Sequence, residues 1–161
     1  MPGLLKKIEL ILWPDANGHR ESNDPIDILK ESYRELSRLA AQISDHAARA
    51  PYPGVAQTLR RIAEEKQSAA KALRNKLEAM GGTLYETTSE IESGGNHWER
   101  MGRDLNAHGV LEMRFLARAA RLNEKAPDTA ELLQQVVQMQ SHHVRILNDL
   151  IARADPQAQQ T

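Results

Sequence analysis

The chain has 161 residues, a formal net charge of -1 and no cysteine. That length suits one domain with a sizeable core. Near-neutral charge without a basic cluster leaves no electrostatic footprint for nucleic acid or an anionic membrane. Lack of cysteine excludes disulfides, thiolate catalysis, zinc knuckles and iron–sulfur clusters, a composition that fits a cytoplasmic protein.

Residues 1–16 contain LLKKIELILW, the most apolar stretch. Leu4, Leu5, Ile8, Ile11 and Leu12 follow helical spacing, so a short N-terminal amphipathic helix is expected. Lys6, Lys7 and Glu9 lie inside it and no small-residue cleavage site follows, so it is expected to pack on the bundle or on a partner subunit rather than to be a signal peptide, with docking to a membrane surface or a larger assembly as the alternative. It is too short to span a bilayer. Residues 17–23 read as a polar linker, 24–154 as a helical bundle and 155–161 as a disordered tail.

Helix 1 of the bundle is expected to open at Asp24-Pro25, an acceptor side chain before a proline at the first helical position, and to stop before PYPG at 51–54. Helix 2 runs from near Pro53 to Gly81-Gly82, glycine being the residue that tolerates a left-handed terminus. Helix 3 opens at Asn96 with Glu99 three residues on, in the manner of a capping box, and extends to about Asn123 despite Gly102 and Gly109 within it. Helix 4 opens at Asp128 with Glu131 in the same relation and continues to about Ala154. Short loops join 1 to 2 and 3 to 4. Between 2 and 3 lies GTLYETTSEIESGGN, long enough to travel the length of a bundle. The expected fold is therefore all-α, two antiparallel hairpins joined by one long crossover.

Stepping 100° per residue assigns the apolar faces. Helix 1 presents Ile28, Leu29, Leu36, Leu39, Ala40, Ile43 and Ala47, with Ser32 at the centre, Glu35 at the edge and Glu31 outside. Helix 2 presents Val55, Leu59, Ile62, Ala69, Leu73, Leu77 and Met80, interrupted by Lys66 within EEKQSAAKAL, while Glu64 and Glu65 project away. Helix 3 presents Met101, Leu105, Phe115, Leu116 and Ala119, interrupted by His108 and Glu112. Helix 4 presents Leu133, Val137, Val144, Leu147 and Ile151, with Gln140 in the gap and His143 to one side. Each stripe thus carries polar groups near its middle, and Ser32, Lys66, His108, Glu112, Gln140 and His143 are expected to form one buried polar layer. Buried charges need partners, so Lys66 is expected against Glu112, with Glu35 able to join by swinging inward. The competing arrangement has Lys66 snorkelling to solvent.

At these positions the chain resembles the ferritin-like superfamily, rubrerythrin-like domains in particular, over residues 24–154. That resemblance implies a ferritin-like four-helix bundle. It also implies a pair of iron or manganese ions held by a Glu from each of two helices and Glu-x-x-His from each of the other two. Carried over by position, the third-helix glutamate falls on Glu112 and the first-helix one on Ser32, with Glu35 a displaced substitute one turn on. The second-helix motif falls on Lys66-Gln67-Ser68-Ala69 and the fourth-helix motif on Gln140-Ser141-His142-His143. Of the family's ligands, Glu112 and His143 stand in place. A one-residue shift would bring in Glu65, but pair it with Ser68 and turn it off the apolar face.

Two functions follow as expectations. In the first, the di-metal site has degenerated, no cofactor or catalytic residue is expected, and the bundle acts by self-association or by binding a protein partner. In the second, Glu35, His108, Glu112 and His143 hold iron or manganese for redox or iron-handling chemistry. No phosphate loop or nucleophile triad offers a third.

Overall fold

The computed structural model describes residues 21–86, 90–91 and 95–153. The expected amphipathic helix at 1–16, most of the linker at 17–23 and the tail at 155–161 lie outside the described residues. Among the described residues there are four helices: α1 (Pro25–Arg49), α2 (Pro53–Ala79), α3 (His97–Leu122) and α4 (Pro127–Arg153). The described residues contain no strand.

The helix ends follow from local chemistry. Asp24 Oδ1 accepts the Ile26 N–H at 3.0 Å ahead of Pro25. At the far end of α2, Gly81 takes φ +84°. Its N–H and that of Gly82 then close onto the carbonyls of Glu78 and Leu77, both at 3.0 Å, the doubled bond that ends helices at glycine. A Cβ on Gly82 would run into the Leu77 side chain. Asn96 Oδ1 caps Glu99 at 2.9 Å, and Glu99 reaches back to the N–H of Gly95, one residue earlier than the expected box. At α4 the expectation needs correcting. The helix starts at Pro127, its first bond runs from Ala130 N–H to Ala126 C=O at 2.9 Å, and Asp128 caps Thr129 while binding Lys76. Proline at the first turn, where no N–H is missed, sets this start in place of Asp128 and Glu131.

Contacts between helices fix the topology. Gln42 and Arg118 mark opposite ends of the α1–α3 contact, where Gln42 meets Asp104 and Ser32 meets Arg118, so the two helices are antiparallel. Lys66 with Gln140 and Lys76 with Asp128 make α2 and α4 antiparallel too. The hairpin partners α1–α2 and α3–α4 oppose each other through short loops, so α2 and α3 run parallel across the diagonal. Residues 80–96 must therefore return the length of α2, roughly 40 Å at 1.5 Å per residue. Extended, they reach roughly 56 Å. This is the connectivity expected from the sequence.

Each helix buries one seam at alternating spacings of three and four: Leu29, Ser32, Leu36, Leu39, Ile43 and His46 on α1; Leu59, Ala63, Lys66, Ala70, Leu73 and Leu77 on α2; Met101, Asp104, His108, Leu111, Phe115, Arg118 and Leu122 on α3; Thr129, Leu133, Val136, Gln140, His143 and Leu147 on α4. That repeat is the geometry of left-handed bundle packing. The expected faces were rotated slightly on three helices: Ala70 and Val136 are the buried members rather than Ala69 and Val137, and Leu116 is 56% exposed.

Gly102 and Gly109 lie inside α3 with nothing near the position a Cβ would occupy. Gly102→Ala and Gly109→Ala should each stabilise the bundle by about 0.5–1 kcal/mol. Urea denaturation checks this, and a loss of stability in either variant would contradict the described backbone.

Candidate functional site

The middle of the bundle is polar. Ser32, Lys66, His108, Gln140 and His143 are all fully buried. Their pairing differs from expectation in two ways. Lys66 Nζ donates to Gln140 Oε1, not to Glu112. Glu112 is half-buried and accepts from Ser141 Oγ. One turn separates His108 from Glu112 on α3, and the seam spacing aims His108 inward while Glu112 falls beside α4.

Both core histidines have one ring nitrogen tied down. His108 Nδ1–H donates to the Asp104 carbonyl at 2.7 Å, and His143 Nε2–H donates to Glu65 Oε2 at 2.6 Å. Glu65, expected to point away, keeps its side chain 44% exposed yet reaches this far along the α2–α4 seam. The opposite nitrogens, His108 Nε2 and His143 Nδ1, are buried without a protein partner, as is Gln140 Nε2. The two rings meet edge to face, 6.0 Å between centroids.

The electrostatics follow from burial. Desolvation pushes the Lys66 amine down to about 7, with Glu65 and Asp104 pulling weakly the other way. Desolvation and then the Lys66 charge push His108 down to about 2 and His143 to about 4, so both are neutral imidazoles near pH 7.

Two flanking clusters escaped the sequence reading. Asp104, fully buried, accepts from Gln42 Nε2 at 2.8 Å and His46 Nδ1 at 2.7 Å, clamping α3 to α1. Toward the other end Arg118, 2% exposed, donates to Ser32 Oγ at 3.2 Å, Glu35 Oε2 at 2.5 Å and Glu21 Oε1 at 3.2 Å. Glu35 is also held by Arg114 at 2.6 Å and therefore does not swing into the central layer. The signal for both clusters was present: Asp104, His108 and Arg118 all fall on the three–four repeat of α3. Choosing the face by apolar residues alone rotated it toward Leu105 and Leu116.

These residues fit a carboxylate-held metal pair poorly. The inward positions Ser32, Lys66 and Gln140 carry a hydroxyl, an ammonium and an amide, and the nearby carboxylates Glu35 and Glu112 are turned to Arg114, Arg118 and Ser141. Among the described residues no group of three or more His, Asp or Glu side chains is arranged to hold an ion.

No protein-family profile matches the chain, and no curated protein does. Solved structures do. A mycobacterial bacterioferritin is 19% identical, with 78% of this chain and 81% of that one covered at a TM-score of 0.72. BfrA from M. tuberculosis is 18% identical, with 81% and 84% covered at 0.73. A further structure of Mycobacterium tuberculosis bacterioferritin, BfrA, gives 18% identity and a TM-score of 0.72. Likeness at this identity establishes the fold.

Stability should report the buried lysine. Unfolded lysine titrates near 10.4, so between about pH 7 and 10 the unfolded chain holds a proton that the native chain has shed. Stability therefore rises with pH across that window, by up to about 1.4 kcal/mol per unit. Lys66→Met should abolish the slope, whereas Lys71→Met at an exposed site should keep it. Below about pH 6.5 the sign is the same. The unfolded histidines take up protons that native His108 and His143 refuse, so stability falls as pH drops. Denaturation midpoints from pH 4 to 10 measure both limbs. Separately, Lys66→Ala should cost about 2–5 kcal/mol through lost packing and an orphaned Gln140, well above Lys71→Ala.

Proposed function

We propose, from the ferritin-like four-helix fold that this chain adopts, that the bundle has exchanged metal binding for a lysine-centred polar core and works by association, with a second copy or another protein. The observation that carries this reading is Lys66: an ammonium group occupies a position the fold family gives to a metal-binding glutamate, and its partner is the neutral Gln140. Cationic charge from the protein removes both the need and the room for cationic charge from a metal.

Exposed apolar residues on α3 support this reading. Val110, Met113 and Leu116 are 40%, 41% and 56% exposed and follow one another at helical spacing on the outward side. Among the described residues no helix is long and apolar enough to cross a membrane. A cytoplasmic, homo-oligomeric protein without nucleic-acid affinity remains part of this reading, supported by the absence of cysteine and the dispersed basic residues.

The bacterioferritin likeness keeps a second reading in play, an iron- or manganese-handling protein or oxidoreductase that uses His108, His143 and Glu112. One preparation decides between them. Protein made in iron- and manganese-supplemented medium should contain no stoichiometric metal by elemental analysis; stoichiometric metal lost on Glu112→Ala would establish the second reading. For association, sedimentation should show an assembly larger than one chain, and Met113→Glu with Leu116→Glu should reduce it at unchanged helicity. A wild-type chain that sediments as a monomer and captures no partner would remove the first.

A further inference from the structure

Before α1 begins, the chain is already fastened to α3. Glu21 accepts from Arg118 Nη2 at 3.2 Å and from Arg121 Nη2. Ser22 Oγ donates to Asp27 Oδ2 at 2.9 Å and accepts the Asp24 N–H at 3.1 Å, so residues 21–24 are folded onto the start of α1 while Glu21 reaches across to α3. Residues 1–20 lie outside the described residues, and they join the bundle at this point, at the head of the groove between α1 and α3.

That groove runs down the bundle from Glu21. Its upper part, about 440 Å³, is lined by Glu21, Ile28, Glu35, Arg114 and Arg118 among others. Glu35 and Arg114 also line the next part, about 240 Å³, so the two are continuous. There the lining turns apolar, with Leu39 from α1 and Ala107, Val110 and Leu111 from α3, and Arg38 and Asn106 beside them. Val110 is 40% exposed, although Leu39 and Leu111 next to it are buried. Exposed apolar area with a polar rim is the character of a contact surface.

We propose that this chain's own N-terminal segment fills the groove, laying Leu4, Leu5, Ile8, Ile11 and Leu12 against Leu39, Ala107, Val110 and Leu111. It runs parallel to α3, with Leu12 nearer Arg114 and Leu4 nearer Asn106. Reach, length and charge favour this occupant. Trp13 lies eight positions before Glu21, roughly 26 Å of extended chain. Ala107 lies eleven positions before Arg118, only roughly 16 Å along α3. A helical turn-by-turn path from Leu4 to Leu12 measures roughly 12 Å, as does α3 from Asn106 to Arg114. Glu9, adjacent to Ile8, is opposite in sign to Arg38 and Arg114 beside the groove. A tether this short gives the segment an effective concentration on the order of millimolar, so a small apolar contact suffices to hold it. The inference goes beyond the association reading, since these contacts lie within one chain and Met113 and Leu116 are not part of the groove.

Because the chain has no cysteine, a nitroxide can be attached at Lys6→Cys alone, off the apolar face, in the full-length 15N-labelled chain. The expected result is loss of most of the amide intensity at Asn106, Ala107 and Val110, with Glu64 and Lys71, exposed on α2, unchanged. Adding Ile8→Glu and Leu12→Glu should restore the lost intensity, while an unchanged amide pattern for the bundle shows that the fold is kept. A mixture of nitroxide-bearing chain without 15N and cysteine-free 15N-labelled chain should show no loss. Loss in that mixture would assign the groove to the segment of a second copy and overturn the proposal. No loss in the single chain, an even loss across the bundle, or a loss that survives Ile8→Glu with Leu12→Glu would overturn it as well.

Discussion

An ammonium group taken out of water in the middle of four packed helices has to be hydrogen-bonded or neutralised, and the surrounding chemistry is arranged accordingly. Gln140 supplies the acceptor that the lysine bonds, and its charge acts on two fully buried neutral histidines, His108 and His143. Among the described residues no buried carboxylate is bonded to the lysine. The carboxylates that act on it, Glu65 and Asp104, do so at longer range while bonded to histidines. The result is a core cation whose own pKa falls to meet its surroundings, instead of a tight ion pair.

Asp104 ties this centre to the rest of the bundle. Its carboxylate holds Gln42 and His46 of α1, and its backbone carbonyl sets the ring of His108 one turn on. The orientation of a core histidine and the docking of two helices therefore share a residue. On the other side of the layer, Arg118 gathers Ser32, Glu35 and Glu21 in the same manner. The α1–α3 contact is consequently polar at both ends. Short loops alone would keep the two hairpins together internally; specific polar contacts between α1 and α3 set how one hairpin registers on the other.

Much of the architecture was legible because its signals are local. Asp24-Pro25, Asn96 with Glu99, and Gly81-Gly82 announce helix ends through capping chemistry that depends on a few neighbouring residues. The buried layer was legible for a related reason: Ser32, Lys66, His108 and Gln140 each break an apolar repeat. Pairing within the layer was not. Whether Lys66 meets Glu112 or Gln140 depends on the rotation of α3 by less than a quarter turn, and ionisable residues on the seam itself hide that rotation from any reading that counts hydrophobes. Asp104 and Arg118 were missed for that reason. Glu65 was missed because a long side chain on the flank of a helix can still reach a partner on the next one.

The diagonal, parallel placement of α2 and α3 has a consequence for assembly. Every contact between the two hairpins joins residues far apart in the chain, and residues 80–96 are the single covalent link between them. Two molecules that opened at this link would find, each in the other's hairpin, the same complementary surface that they had released. A version of the link too short to run back along α2 would leave exchange as the sole way to bury both seams, turning a monomeric fold into an interlocked pair with no new contact invented.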